Sequence, residues 1–174
     1  MAMNDRGELG WFSPDPRALI PLDERFHIPH GLERTLKKGR FEVTIDQEFE
    51  GVIRACAVAH GSTWISKEII ESYCELHALG LAHSVETRLQ GQLVGGLYGV
   101  HLRGAFFGES MFHHATDASK VALVALVQRL RVGGFLLLDT QWTTAHLARF
   151  GAYEIPRAKY LKLLEKALQR PCLF

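Results

Sequence analysis

The sequence has few cysteines, no long hydrophobic run and almost no net charge. Cys56, Cys74 and Cys172 are odd in number, widely spaced and without any Cys-x-x-Cys pair, so neither a disulfide framework nor a cysteine zinc site is indicated. The longest apolar stretch, residues 121–127, is far too short to cross a bilayer. The first residues do not show the basic segment and apolar segment of a secretion signal. We therefore expect a cytoplasmic protein with reduced thiols and no membrane partner.

Positive and negative charges nearly cancel, since 20 Lys and Arg stand against 19 Asp and Glu. A field this weak does not attract nucleic acid, so any such partner must be bound by a local basic cluster. The densest cluster comprises Arg34, Lys37, Lys38 and Arg40, and a second, on the last predicted helix, comprises Lys159, Lys162, Lys166 and Arg170. A solvated surface without a partner is the alternative interpretation of both.

Proline and glycine interrupt the first forty residues and predict an irregular entry segment over 1–40, followed by one domain over 41–174. Residues 41–45 alternate between apolar and polar and predict a strand, which ends at Asp46, a typical helix-capping residue. Two helical patterns follow, and the second is capped by Ser66.

The pattern then changes to that of strands. Residues 82–88, 93–102 and 105–107 predict an antiparallel meander of three strands. Residues 118–131 are apolar on nearly every side, which is typical of a buried helix. The remaining predicted elements are a strand over 135–139, a helix over 143–150, a strand over 152–155 and a last helix that starts at Pro156.

This order of elements predicts an α+β fold with a mostly antiparallel sheet covered by helices. It matches the layout of GNAT-type acyltransferases, in which the sheet splays open around an acyl donor. A fold of this kind supports many activities, so function has to be argued from individual residues.

Nine short motifs follow one another in order along nearly the whole chain. They are WFSPDPRALIPL (11–22), GSTWIS (61–66, with Ser62 inserted), HALGLAHSVE (77–86), LVGGLYGV (93–100), FFGESMF (106–112), ASKVAL (118–123), LLDTQ (137–141), LARFGAYEIPRAKYL (147–161) and PCLF (171–174). Each motif alone is a weak signal, but the ordered set is specific. In this set the chain resembles the leucyl/phenylalanyl-tRNA–protein transferase family.

One feature of that family has no counterpart in the sequence. Family members usually carry an N-terminal segment with a GGDLS-like stretch and an aromatic GIFPW-like run, which helps to form the donor pocket and the tRNA contact. Here the chain begins close to the SPDPR motif. We therefore expect a short form that lacks this segment.

The resemblance implies an aminoacyltransferase. Such an enzyme moves Leu or Phe, with Met as a further donor, from aminoacyl-tRNA to the N-terminal amine of proteins that begin with Lys or Arg, and so marks them for degradation in an N-degron pathway. The amino acid arrives already activated as an ester, and an α-amine with a pKa of roughly 8 is partly neutral in the cytosol. The reaction needs no covalent nucleophile, so we expect no cofactor and no metal.

The resemblance assigns three polar residues to the catalytic centre. Asp139 and Gln141 are alternate residues of a predicted strand, which places both side chains in one cleft. Gln141 would contact the reacting amine or carbonyl, and Asp139 would orient it or relay a proton. Glu109 would bind the cationic end of the acceptor or position the aminoacyl end. The alternatives are a capping role for Asp139 and a solvated turn residue at Glu109.

A pocket for Leu or Phe should be apolar, and a methionine in its wall would help it to fit both shapes. The candidates are Trp64, Leu97, Phe106, Met111, Leu123 and Leu138. Each of them could equally be an ordinary core residue.

Two other functions remain open at this point. An acyl-CoA N-acyltransferase of the same fold would cradle pyrophosphate in an R/Q-x-x-G-x-G/A loop at the start of a helix, but residues 131–136 lack the final Gly or Ala and close a predicted helix. A non-catalytic module that binds tRNA or an N-terminal peptide would not need Glu109, Asp139 and Gln141 together.

Overall fold

Six helices and two β-sheets make up the part of the chain that the computed structural model describes, residues 2–3, 9–59 and 64–174. The strands are β1 (Ala2–Met3), β2 (Leu9–Gly10), β3 (Arg17–Ile20), β4 (Glu42–Ile45), β5 (Ala82–Leu89), β6 (Gln92–Leu102), β7 (Ala105–His113), β8 (Leu137–Gln141) and β9 (Tyr153–Ile155). The helices are α1 (His30–Lys37), α2 (Phe49–Ala59), α3 (Lys67–Ala78), α4 (Ala118–Val132), α5 (Ala145–Ala148) and α6 (Arg157–Leu168).

The larger sheet has seven strands in the order β4-β5-β6-β7-β8-β3-β9. Its neighbouring strands are antiparallel except β7 and β8, which run parallel and are connected through α4. A parallel pair needs a long crossover of this kind, whereas the antiparallel pairs β5–β6 and β6–β7 are joined by two-residue turns. The α+β prediction with a mostly antiparallel sheet is confirmed.

Helices cover both faces of this sheet. Leu97 belongs to a core cluster that contains α1 and α4, whereas its neighbour Tyr98 belongs to a cluster formed with α2 and α3. Because successive strand residues point to opposite faces, these two clusters lie on opposite sides of the sheet. A third cluster, on the side of Tyr98, packs α6 against Ala105 and Leu137.

Most of the predicted elements are present, and Ser66 caps α3 as expected by accepting the backbone N–H of Ile69. The expectation of an irregular segment is wrong for residues 17–20, because these form β3, which pairs with both β8 and β9. The short apolar run Ala18–Ile20 is fully enclosed by its neighbours, and this burial outweighs the flanking prolines.

The predicted helix cap Asp46 has another role, and so does Asp117, the residue before α4. Asp46 has a positive φ of 56° and its carboxylate binds the Nδ1 atom of His83 at 2.7 Å and the backbone N–H of Ser84 at 2.8 Å. Asp117 precedes α4 but makes no side-chain cap hydrogen bond; it binds Thr35 and Lys120 instead. Both acids therefore tie neighbouring elements together.

Candidate active site

The parallel strands β7 and β8 are paired over only three residues each. Their register runs from Ala105 opposite Leu137 to Phe107 opposite Asp139. Beyond this point residues 108–111 of β7 and residues 140–142 at the end of β8 line opposite walls of a cavity of about 320 Å³. The strands therefore separate where the polar motif residues begin, and the gap between them is open to a ligand.

Glu109 reaches this cavity because β7 bulges. In the pairing of β6 with β7, Tyr98 lies opposite Ser110 but Gly99 lies opposite Gly108, so Glu109 is an extra residue with no partner. A bulge redirects the side chains on either side of it. Glu109 thus lies inside a long strand, and the alternative of a turn residue does not hold.

Asp139 is completely buried and saturated with hydrogen-bond donors. Its Oδ2 atom accepts from Nη2 of Arg17 at 2.7 Å and from the hydroxyl of Tyr160 at 2.6 Å. Its Oδ1 atom accepts from Nε of Arg17 at 3.0 Å and from the backbone N–H of Gln141 at 2.8 Å. Burial lowers the pKa of Arg17, but the hydrogen bond and the charge of Asp139 outweigh burial and raise it overall. Asp139 is therefore one half of a buried ion pair.

The cavity is lined by Gln141 but not by Asp139. We expected both side chains in one cleft from strand alternation, and the structure differs because Gln141 has a positive φ of 61°. This left-handed conformation interrupts the alternation at the end of β8. The side chain of Asp139 points to the α6 side of the sheet, as that of Leu137 does, while Thr140 and Gln141 line the cavity.

Glu109 has a carboxyl group whose pKa is raised above its ordinary value. Burial is the main cause, and the charge of Asp139 adds to it, whereas a hydrogen bond with Tyr73 and the charge of Arg17 act in the opposite direction. Tyr73 comes from α3 and Arg17 from β3, so elements on both sides of the gap between β7 and β8 act on this carboxylate. A buried acid whose pKa is perturbed by specific neighbours is a frequent mark of a binding or catalytic site.

The rest of the cavity wall is mainly apolar. Five of the six predicted pocket residues line it, and Phe106 does not, because it is fully buried on the far side of that wall and stacks with Phe174. The five are Trp64, Leu97, Met111, Leu123 and Leu138. Wall residues that the sequence did not single out are Tyr98, Ser110, Leu126, Thr140, Trp142, Thr144, His146 and Leu147. The remainder of the GSTWIS motif, residues 61–63, lies outside the described residues.

The basic residues predicted to contact tRNA are exposed and lie near the N-terminal end of α4. They are Arg34, Lys37, Lys38 and Arg40, on α1 and just after it. Arg40 donates to the backbone carbonyl of Thr116 at 3.5 Å, and the hydroxyl of Thr35 donates to Asp117 at 2.9 Å. Asp117 immediately precedes α4, and two residues of α4, Leu123 and Leu126, line the cavity. The basic cluster therefore adjoins the helix that closes one side of the cavity.

The side chain of His146 lines the cavity. Burial lowers the pKa of His146, and the nearby groups Lys120, His113 and Arg149 lower it further. Lys120 and Arg149 therefore lie near His146 but outside the cavity lining.

Residues 131–136, considered for pyrophosphate binding, close α4 instead of opening a helix. Gly133 is the residue after the last turn, and Arg131 donates to the backbone carbonyl of Leu22 at 2.9 Å. Within the described ranges, no cluster of three or more His, Cys, Asp or Glu side chains could hold a metal ion. None of the helices described is long and apolar enough to span a membrane.

Comparison with known proteins identifies the family. Residues 19–165 match the family model of the leucyl/phenylalanyl-tRNA protein transferases. The chain belongs to this family. A leucyl/phenylalanyl-tRNA–protein transferase of Herpetosiphon aurantiacus is 59% identical over 172 residues, which cover 99% of this chain and 90% of the relative. The relative of the same name in Akkermansia muciniphila is 58% identical, with 97% and 89% covered.

Solved structures give the fold independently. An aminoglycoside acetyltransferase from an uncultured soil sample superposes with a TM-score of 0.51 at 12% identity, over 76% of this chain and 89% of that one. At this identity the likeness concerns the fold alone, and it confirms the GNAT-like architecture. Family membership confirms that the chain is an aminoacyltransferase of the leucyl/phenylalanyl-tRNA–protein transferase type.

Within this family assignment, the residues around Asp139 are what sequence reasoning missed. Arg17 and Tyr160 hold the carboxylate from strands and helices far away in the chain, and neither was singled out. Arg17 belongs to the WFSPDPRALIPL motif and Tyr160 to the LARFGAYEIPRAKYL motif. A single arginine directly before a buried apolar run was the available signal, since such a charge needs a buried partner.

Proposed function

We propose that this transferase moves Leu or Phe, with Met as a further donor, from aminoacyl-tRNA to the α-amino group of proteins that begin with Lys or Arg. One observation carries the proposal: an apolar cavity in the gap between β7 and β8 has Glu109 and Gln141 on its opposite walls. In a cavity of this kind, a hydrocarbon side chain can pack against the apolar wall while a cationic amine lies close by at the polar groups.

The apolar walls would take the side chain of the donor. Leu97, Leu123, Leu126 and Leu138 provide a hydrocarbon lining, and the flexible thioether of Met111 adapts to branched and flat shapes alike. An apolar pocket distinguishes one methylene by only about 1–3 kcal/mol, so mixed use of Leu, Phe and Met is expected. Trp64 and Trp142 complete the lining.

The chemistry is aminolysis of an ester. The neutral α-amine of the acceptor attacks the ester carbonyl, the new C–N bond forms, the C–O bond to the tRNA ribose breaks, and the amine proton leaves with the released 3′ or 2′ hydroxyl. Holding amine and ester together supplies much of the rate enhancement. The amide of Gln141 would stabilise the developing oxyanion or orient the amine.

Asp139 would act on this step through Gln141. Its carboxylate is buried away from the cavity and accepts the backbone N–H of Gln141 at 2.8 Å, which fixes the end of β8. Its charge is already neutralised by Arg17. We therefore assign Asp139 the role of a positioning residue and not that of a proton relay.

Glu109 would bind the acceptor. A buried acid gains from a cationic ligand, because the ligand stabilises the charged form that burial disfavours. A peptide that begins with Lys or Arg brings such a cation in its side chain. We therefore attribute the proposed preference for these two residues to Glu109.

The tRNA would lie across α1. Four exposed basic residues lie near the N-terminal end of α4, the helix that contributes Leu123 and Leu126 to the cavity wall: Arg34, Lys37, Lys38 and Arg40. Contacts of these cations with phosphates would make binding strongly salt-dependent. The modified proteins would enter an N-degron pathway for degradation in the cytoplasm.

The first experiment measures transfer directly. The purified protein is incubated with radiolabelled Leu-tRNA or Phe-tRNA and with peptides that differ only in a first residue of Lys, Arg or Ala, at low and moderate salt. Label in the Lys and Arg peptides, and little in the Ala peptide, supports the proposal. Binding of tRNA without transfer would favour a non-catalytic module, and neither binding nor transfer would favour an acyl-CoA donor.

A further inference from the structure

The hydroxyl of Tyr98 is buried beside the polar end of the cavity without a hydrogen-bond partner. Tyr98 is 0% exposed and belongs to the cavity lining. No hydrogen-bonding group of the described residues is within reach of its hydroxyl oxygen. A buried unpaired hydroxyl is unfavourable for folding, so phenylalanine would suit this position better if packing were its only role.

The ring of Tyr98 is held firmly in this place. Its edge packs against Tyr73, with ring centroids 5.4 Å apart, and against Phe49 at 5.9 Å. On β7 its direct partner is Ser110, the residue that follows the bulge at Glu109. Tyr98 is therefore held in the cavity wall that Glu109 also lines, with its hydroxyl buried.

Glu109 is the group that this hydroxyl would complete. Burial raises the pKa of Tyr98, and the charge of Glu109 is the next cause, which places the two groups close together. Tyr73 already hydrogen-bonds with Glu109. Among the described residues, Arg17 and Asp139 also act on the pKa of Glu109, and these two are paired with each other.

We propose that Tyr98 is a positioning residue for Glu109, whose hydroxyl donates to the Glu109 carboxylate when a cationic acceptor terminus occupies the cavity. Tyr73 and Tyr98 would then both donate to Glu109, which lines the cavity. The two hydroxyls then stabilise the charged carboxylate that burial disfavours, and they aim it at the ligand. This inference rests on the proposed role of Glu109 towards the acceptor.

The test compares Tyr98→Phe with the wild-type protein over a range of about pH 5.5 to 9, using a peptide that begins with Lys. Without the hydroxyl, the charged form of Glu109 loses a donor in the complex with the acceptor. The acceptor KM at pH 8 should then rise by about tenfold, as expected for a lost hydrogen bond to a charged group, and its further increase on the acid side should become smaller. The KM for aminoacyl-tRNA should not change. The melting temperature should equal or exceed that of the wild type.

Two further variants make the result decisive. Tyr153→Phe removes a hydroxyl outside the cavity and should behave like the wild type. Glu109→Gln should abolish the acid-side change in acceptor KM altogether. If the change persists in Glu109→Gln, the proposed role of Glu109 fails. If it disappears there but Tyr98→Phe leaves the acceptor KM unchanged, or if Tyr98→Phe only lowers the melting temperature, the inference about Tyr98 alone is overturned.

Discussion

Asp139 and Glu109 lie on either side of the point where β7 and β8 separate, yet their carboxylates meet different surroundings. Asp139 is fully enclosed and accepts hydrogen bonds from Arg17, Tyr160 and the backbone of Gln141. Glu109 is partly exposed in the cavity, and burial raises its pKa above the ordinary value. We infer from this comparison a division of roles, in which Asp139 holds the backbone of the site and Glu109 binds the substrate.

The largest expected effect on stability comes from removing the charge of Asp139, the acid with several hydrogen-bond donors. Asp139→Asn leaves the guanidinium of Arg17, 11% exposed, without its counter-charge, and should lower the free energy of unfolding by about 3–5 kcal/mol. Glu50→Gln is the matched control, since it breaks an exposed pair with Arg54 and should cost no more than about 0.5 kcal/mol. Urea unfolding of both variants measures the difference. Similar small losses in both would contradict a supporting role for Asp139.

Substitution of Gln141 tests how the surroundings of Asp139 are connected to the cavity, because the backbone N–H of Gln141 binds Asp139 while its side chain lines the cavity. Gln141→Ala should lower kcat by about 100-fold or more, as loss of one oxyanion donor does, with tRNA binding almost unchanged. Alanine is strained at a φ of 61°, so Gln141→Gly serves as the control that relieves the backbone. Equal loss of kcat in both places the effect on the side chain. Recovery of activity in the glycine variant, or equal loss of tRNA binding, would contradict it.

The smallest effect concerns the stability contribution of Glu109. Because its folded-state pKa is raised above about 4.5, the folded protein binds more protons than the unfolded chain between the two pKa values, and this group lowers stability as pH rises through that interval. Glu109→Gln should therefore raise the melting temperature at pH 8, and the gain should shrink as the pH falls from the folded-state pKa to the unfolded-state value. Asp139→Asn should show a loss at pH 8 instead. A lower melting temperature of Glu109→Gln at pH 8 would contradict the different roles assigned to Glu109 and Asp139.

Much of this architecture could be predicted from the sequence because its signals are local. Alternation gave the strands β5 and β6, and the apolar run of residues 121–127 gave a central helix. The ordered motifs gave the family. Five of six predicted wall residues line the cavity, since apolar motif residues on α4, β6, β7 and β8 converge there.

The details that decide the site are not local. Strand alternation predicted that Asp139 and Gln141 share a cleft, but a single positive φ at Gln141 reverses this. The bulge that exposes Glu109 is visible only in the register of β6 against β7. The ion pair of Arg17 and Asp139 joins residues that are 122 positions apart, so no local sequence pattern predicts it.

The central claim is that the gap between β7 and β8 holds the side chain of the donor, and donor selectivity tests it most directly. Leu123→Ala enlarges the cavity and should raise the ratio of kcat/KM for Phe-tRNA to that for Leu-tRNA by about tenfold. This ratio does not depend on the fraction of folded enzyme. Leu130→Ala, a buried position of the same helix that does not line the cavity, should leave the ratio unchanged. An unchanged ratio in Leu123→Ala, or the same change in both variants, would contradict the claim.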